Sequence, residues 1–419
     1  MQPLIPVEEA LDRIAPGARI VATPGCAAPT TLLAGLARLA RTREGLHLYT
    51  GLQLEDQPFL AAVAEGRMRF STWHVTPASR PLIAQGLADH LPLRLSDVPP
   101  ALEHLAIDVA LIRVSPPDAD GTVSLGPSMS YSRAAVETAD LVIAEVDPSL
   151  PRTSGPTLLH TDRIDALVAS ERPTPVHHSR EPDEDALRIA DHLTELLPES
   201  PTLQLGIGQV PEAIADTLLR DRVASLRFVG LAIDRMVDLA ETGLLDGTPR
   251  EVPPIAAVEV IGSERLMRFV DDNPLVGVYP STQGHDPGWL ADHFPRIVSV
   301  NSALEIDLLG QVNAEMIGGT QVSGVGGSAD FVDAARASQG GLSIIALPST
   351  TKAGTVSRIV ERLGSDAVTT VPRHAYHVVI TEHGVADLRG LNVRERAHAL
   401  SDLAAPTHRP RLERAQGPG

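Results

Sequence analysis

The chain has 419 residues, 43% of them hydrophobic, with 53 acidic against 35 basic side chains and a formal net charge of −18 at pH 7. That length predicts two domains, and the acidic balance argues against nucleic acid or an anionic membrane as partner. The one cysteine, Cys26, excludes a disulfide framework and a cysteine-based zinc site. No apolar run reaches the roughly 20 residues that span a bilayer, and the first residues lack a signal-peptide pattern, so a cytoplasmic location is expected.

In chain order, Arg19–Ala22 reads as a short strand that runs through a Thr-Pro-Gly-Cys loop into a helix over about 29–41. Residues 108–114 (DVALIRV) and Leu141–Val146 (LVIAEV) are continuous apolar runs of the kind found in fully buried strands, with a short helix over 131–138 between them. The polar, proline-rich stretch 172–182 is the best linker candidate. It divides an N-terminal domain over 1–175 from a C-terminal domain over 186–419, with the linker at about 172–185. Beyond it, Thr202–Leu205 enters Gly206-Ile207-Gly208-Gln209-Val210-Pro211, and 212–219 is helical with proline at its start. Such alternation predicts an α/β fold with parallel, doubly wound open sheets.

The two halves echo each other. Early in each, a strand leads into a glycine loop, a proline and a helix (25–32 and 208–214). Later in each comes a Gly-x-Val-x turn, Gly121-Thr122-Val123-Ser124 and Gly310-Gln311-Val312-Asn313, followed by helix and apolar strand. Two similar α/β domains are expected.

The most informative stretch is 318–358. The run Ser323-Gly324-Val325-Gly326-Gly327-Ser328 leaves backbone N–H groups uncovered and able to grip an oxyanion or a phosphate. An apolar strand at 342–347 then opens into Pro348-Ser349-Thr350-Thr351-Lys352, which holds the chain's only lysine. Strand-to-loop junctions of this kind are where open α/β sheets bind ligands. Gly206-Ile207-Gly208 lacks the third glycine and the downstream acid of a nicotinamide-binding fingerprint. His177-His178 has no partners at ligand spacing, so no metal site is expected.

Taken together, residues 108–126, 136–147 and Pro151-Arg152-Thr153 resemble the acetyl-CoA hydrolase/4-hydroxybutyrate CoA-transferase family. Leu205-Gly206-Ile207-Gly208, Asn301-Ser302-Ala303-Leu304-Glu305, the 323–358 block and residues 381–390 (TEHGVADLRG) extend the match from about Gly17 to Arg411. The resemblance implies two open-sheet domains of the CoA-transferase-like type with the active site at their junction. It further implies a coenzyme A thioester as substrate rather than a permanent cofactor, an acceptor acid, water or other nucleophile as second reactant, and a homo-oligomer, commonly a homodimer. Gly206, Gly208, Gln209, Gly324, Val325, Ser328 and Lys352 are the residues expected to meet CoA. Backbone N–H groups at Val210 and in the Gly326-Gly327 turn are expected to form an oxyanion hole.

Members of that family carry CoA on a glutamate as a thioester between two half-reactions. The position that corresponds to this glutamate falls at about Gly230, and no carboxylate occurs between Arg222 and Asp234. At His285-Asp286-Pro287 relatives commonly carry Asn-Asp-Pro. A histidine there can exchange protons where an asparagine only orients, although a plain surface turn is the bland alternative. Glu145, Glu305, Glu315 and Glu382 are expected to support loops or ion pairs, and Cys26 to be inert and buried. Three readings follow: an acyl-CoA hydrolase or direct acyl transferase that uses His285, a conventional CoA-transferase with a substitute carboxylate such as Glu259, and a non-catalytic CoA-binding protein.

Overall fold

The computed structural model describes residues 3–351 and 354–415, so Lys352 lies outside the described residues. The chain folds as two compact units. The first comprises residues 1–178, 255–285 and 321–326, and the second comprises 179–254, 286–320 and 327–419.

The first unit is built on a seven-stranded parallel sheet. Its strands are β1 (Arg19–Ala22), β2 (His47–Thr50), β3 (Arg69–Thr72), β4 (Asp89–His90), β5 (Val109–Val114), β6 (Leu141–Val146) and β7 (Ala166–Ala169). They lie in the order β4-β3-β2-β1-β5-β6-β7. Ile20, Leu48, Leu111, Ile143 and Val168 join residues of the helices Val7–Leu11, Thr30–Leu39 and Phe59–Ala64 in one core. Two further strands of this unit, Ile255–Val260 and Val276–Val278, pair in parallel with each other.

Two charges sit inside the apolar β5 and β6 runs. They are register partners, Arg113 and Glu145, bonded at 2.7 Å with both side chains fully buried. The second Glu145 oxygen accepts from the backbone N–H groups of Thr31 (2.9 Å) and Leu32 (3.2 Å) at the start of the Thr30–Leu39 helix. Glu145 therefore ties sheet to helix, a buried ion pair whose remaining lone pairs are satisfied by a helix N-terminus.

The main sheet of the second unit contains β8 (Thr202–Leu205), β9 (Arg227–Ala232), β10 (Ile297–Asn301), β11 (Leu342–Ala346), β12 (Val378–Thr381) and β13 (Gly384–Asp387). Their order is β9-β8-β10-β11-β12-β13, parallel except for the closing β12-β13 hairpin. This is the expected α/β class. In both sheets the first strand is flanked by the next strand on one side and a later one on the other (β2 and β5 around β1, β9 and β10 around β8). The loops leaving β1 and β8 thus sit at topological switch points, where open sheets leave a crevice.

The sequence expectations differ in detail. The Gly121 and Gly310 motifs are tight turns with φ of +76° and +86° that lead into short strands, Thr122–Ser124 and Val312–Asn313. The 131–138 helix spans Ser132–Thr138, and the helix expected over 212–219 begins earlier, at Gln209–Arg220.

Candidate functional site

In the second unit, β8 ends in Gly206-Ile207-Gly208, and the Gln209–Arg220 helix starts at once. Gly208 has φ +122°, a conformation that only glycine adopts without strain, and no atom lies within 4 Å of where a Cβ would stand. Gly206 is equally open. The helix has no side-chain cap, so its first-turn N–H groups face this crevice with the positive end of the helix dipole behind them. The Gln209 side chain is turned away, donating to the Glu181 carbonyl at 2.9 Å.

The crevice is a cavity of about 230 Å³ lined by residues 206–211, by Val300, Asn301 and Ser302 at the end of β10, and by Ala346, Pro348 and Arg358. Gly206, Gly208, Gln209 and Val210, all singled out from the sequence, therefore share one site. Arg358 was not singled out as a site residue. Its guanidinium donates to the Ala303 carbonyl at 3.2 Å, and burial pulls its pKa below the usual arginine range. It supplies the crevice with a cation of the kind that meets carboxylates or phosphates.

Gly230 lies in β9, register-paired with Leu205. Its φ is +91°, and a Cβ there would stand 2.5 Å from Cζ of Phe331. The space a side chain would use is filled by that ring. Ser328 opens the Ser328–Ala337 helix, with Gly327 at its N-cap. Of the other expected loop supports in this unit, Glu305 accepts from Asn313 at 2.9 Å, Glu315 from Thr370 at 2.8 Å, and Glu382 from the Ser349 N–H at 2.7 Å.

In the first unit, Gly324 is a packing glycine, since a Cβ there would collide with the Trp73 carbonyl. Gly326, with φ +61°, has open space beside it. Val325 lies between them and is half-buried. His285 follows the short Ser281–Gly284 helix and donates its backbone N–H to the Ser281 carbonyl at 3.1 Å. It is 3% exposed, which corrects the surface-turn alternative, and a Cβ on the preceding Gly284 would stand 2.2 Å from the Val258 side chain. The neighbouring Asp286 caps the Pro287–His293 helix, accepting from the Trp289 N–H at 2.6 Å. Cys26 is buried in the 3-10 turn Gly25–Ala27 that leaves β1.

Sequence reasoning gave little weight to the residues gathered around that turn. Glu259, in the otherwise apolar strand Ile255–Val260, is buried beside Gly25, Ser128 and Ser130. Burial pushes its carboxyl up to about 7, partly offset by the Ser128 and Ser130 hydroxyls. The serines arrive from more than a hundred residues away, so no local pattern announces them.

Residues 2–177 match the family described as the acetyl-CoA hydrolase/transferase N-terminal domain, and residues 262–416 match its C-terminal domain. A 4-hydroxybutyrate coenzyme A transferase of Clostridium kluyveri is 33% identical over 413 residues, covering 98% of this chain and 96% of that protein. An acetyl-CoA hydrolase of Eremothecium gossypii is 26% identical, covering 85% of this chain and 72% of that protein. Among solved structures, RipA from Yersinia pestis superposes with a TM-score of 0.92 at 30% identity, covering 98% of this chain and 96% of that one. No described helix is long and apolar enough to cross a membrane. Matched in both domains and along nearly its whole length, the chain belongs to the acetyl-CoA hydrolase/transferase family and is an acyl-CoA-processing enzyme.

Proposed function

We propose that the protein cleaves or transfers the acyl group of a small acyl-CoA directly, without holding CoA as a glutamyl thioester. The observation that carries this reading is residue 230. A glycine at φ +91° with Phe331 in its side-chain space leaves β9 without an acidic nucleophile. A thioester carbonyl then has to be attacked by water or by the acceptor itself. The open N-terminal turn at Gly208-Gln209-Val210 supports the stabilisation of the oxyanion that such an attack creates, since that role needs backbone donors and no acidic side chain. Arg358, Asn301 and Ser302 supply polar anchors for CoA or for an acceptor carboxylate in the same crevice.

The test is turnover combined with trapping. Thiol release from acetyl-, propionyl-, butyryl- and succinyl-CoA is measured with and without acetate as acceptor. Borohydride or hydroxylamine is added during turnover, and the protein is then mapped for a modified carboxylate. Turnover without a mapped adduct supports direct attack. An adduct on any Asp or Glu overturns it, and failure to turn over any of the thioesters favours a binding protein. One specific observation favours a conventional transferase as the second reading: Glu259 is a buried carboxylate of unusual environment, and an adduct there would identify it as the substitute nucleophile.

A further inference from the structure

The crevice of the second unit lies at the carboxyl ends of three adjacent parallel strands. Gly206 follows β8, Asn301 closes β10 in register with Ile345, and Ala346 closes β11. The cation in its wall is fixed by the backbone around it. The Arg358 N–H donates to the Ser349 carbonyl at 2.8 Å, its carbonyl accepts from the Ile306 N–H at 2.8 Å, and Nη1 donates to the Ala303 carbonyl at 3.2 Å. Glu382 is the carboxylate whose charge acts on this guanidinium, yet among the described residues the two form no ion pair. Both Glu382 oxygens are taken: Oε2 accepts from the Ser349 N–H at 2.7 Å, and Oε1 accepts from the Ser349 hydroxyl and lies 3.3 Å from His383 Nε2. A guanidinium carries five N–H donors in a planar fork, so Arg358 keeps donors that the Ala303 carbonyl does not use.

Asn301 adds an independent observation. It is 9% exposed, it lines the same cavity, and its Nδ2 is buried without a hydrogen-bond partner among the described residues. Buried amide nitrogens are normally satisfied, so an orphaned one in a cavity wall marks a place where a ligand accepts. The acid in this wall, Asp183, is exposed and already accepts from the Ala186 N–H at 2.9 Å as the cap of the Glu184–Thr194 helix. Ile207, Val300, Ala346 and Pro348 supply apolar surface between the donors. Donors set among apolar side chains suit a short carbon chain that ends in an anion. At about 230 Å³ the cavity is smaller than the roughly 300–1,000 Å³ of pockets that enclose drug-sized ligands, so it admits a short acid but not the nucleotide of CoA.

We propose that Asn301 and Arg358 form a carboxylate subsite and set the specificity of the enzyme. The carboxylate comes from the far end of a dicarboxylic acyl group, as in succinyl-CoA, or from a short free acid. The proposal deepens the direct-attack reading and rests on it in placing the thioester carbonyl at the neighbouring Gly208-Gln209-Val210 turn. The planar fork of Arg358 pairs with the carboxylate, and the Asn301 amide donates to it as well. A methyl group in place of that carboxylate leaves both donors unanswered, which is the basis of selection.

The experiment compares kcat/KM for succinyl-CoA and butyryl-CoA, which differ only in that end group, in wild type, Arg358→Met, Arg358→Lys and Asn301→Asp. Each preference is a ratio within one protein, so loss of folded enzyme cancels from it. For a carboxylate on the acyl group, wild type should favour succinyl-CoA by at least tenfold. Arg358→Met should then lower the succinyl-CoA value about 10- to 100-fold and leave the butyryl-CoA value within threefold. Arg358→Lys, a point charge without the fork, should keep part of the preference. Asn301→Asp keeps the side-chain shape and brings a like charge to the subsite, so it should reverse the preference. For a free acid, wild type should show no end-group preference, while butyrate and succinate should raise its melting temperature and not that of Arg358→Met. Equal losses for both thioesters in Arg358→Met would assign the arginine to CoA itself and overturn the proposal. So would a wild type that neither prefers succinyl-CoA nor is stabilised by either free acid. The direct-attack reading is judged separately, by trapping: an adduct on an Asp or Glu defeats that reading and does not enter the end-group ratio. If neither thioester turns over, calorimetric dissociation constants for the two replace kcat/KM, with the same ratios expected.

Discussion

Replacing Glu259 by glutamine should change how the stability of the protein depends on pH, independently of any activity. The folded carboxyl releases its proton at about 7, against an ordinary value of 4.5. Between those values the folded state binds more protons than the unfolded state, so stability falls as pH rises through this window. The contribution is neutral below the unfolded value, where both states are protonated, and the full loss is in place above about 7. The difference corresponds to about 3 kcal/mol in total, of which roughly 2–3 kcal/mol falls between pH 5 and pH 8. Glutamine carries no proton to release, and the other titrating groups are shared by the two proteins. The stability of Glu259→Gln relative to wild type should therefore rise by that amount from pH 5 to pH 8. Urea denaturation of both proteins at a series of pH values measures it, followed by tryptophan emission because Trp73 lies in the same unit. Parallel curves from pH 5 to pH 8 would show that the carboxyl titrates normally, and the argument from its burial would fail.

Breaking the Arg113–Glu145 pair from one side, as in Glu145→Gln, removes the nearer of the two carboxylates that balance a fully buried guanidinium, leaving Asp147 at 3.5 Å. It should cost about 3–5 kcal/mol, visible as a large fall in the denaturation midpoint. Gly230→Glu should not create a glutamyl thioester. It meets both an unfavourable φ and the Phe331 ring, so a destabilisation of roughly 1–3 kcal/mol and no trappable adduct are expected. Gly206→Val should raise KM for the thioester by tenfold or more with a smaller change in melting temperature, because its side chain enters the open crevice rather than the core. Gly324→Ala should do the reverse, lowering stability through its clash with the Trp73 carbonyl.

Much of the fold was legible in the sequence where burial and composition agree. β5 and β6 read as buried strands because they are continuous apolar runs, and the charge inside each is cancelled by its register partner. β2 and β3 were not legible. Their residues include His47, Tyr49 and Ser71, which look like a surface and are nevertheless buried. They satisfy one another, Tyr49 to His47 at 2.9 Å and His47 to Ser71 at 2.8 Å, and burial pushes His47 down to about 4. The second-unit crevice was readable because glycine marks special backbone wherever it falls, whereas Arg358 resembles any other arginine until the fold places it. Glu259 illustrates the same limit. A single acid in an apolar strand has no meaning until Ser128 and Gly25 are brought beside it, the serine by the pairing of 127–130 with that strand.

The antiparallel bonding of 127–130 to 258–260 also bears on how the polypeptide can be divided. The first unit borrows 255–285 from beyond the link between the units, and Pro127, Met129 and Ser130 bond through their backbone to that borrowed segment. A gene fragment ending near His178 would leave Pro127, Met129 and Ser130 with unanswered amides and carbonyls, on an unprotected strand edge open to intermolecular pairing. Expression of the two halves as separate polypeptides should therefore give aggregation from the first one, and co-production of both pieces should rescue its solubility.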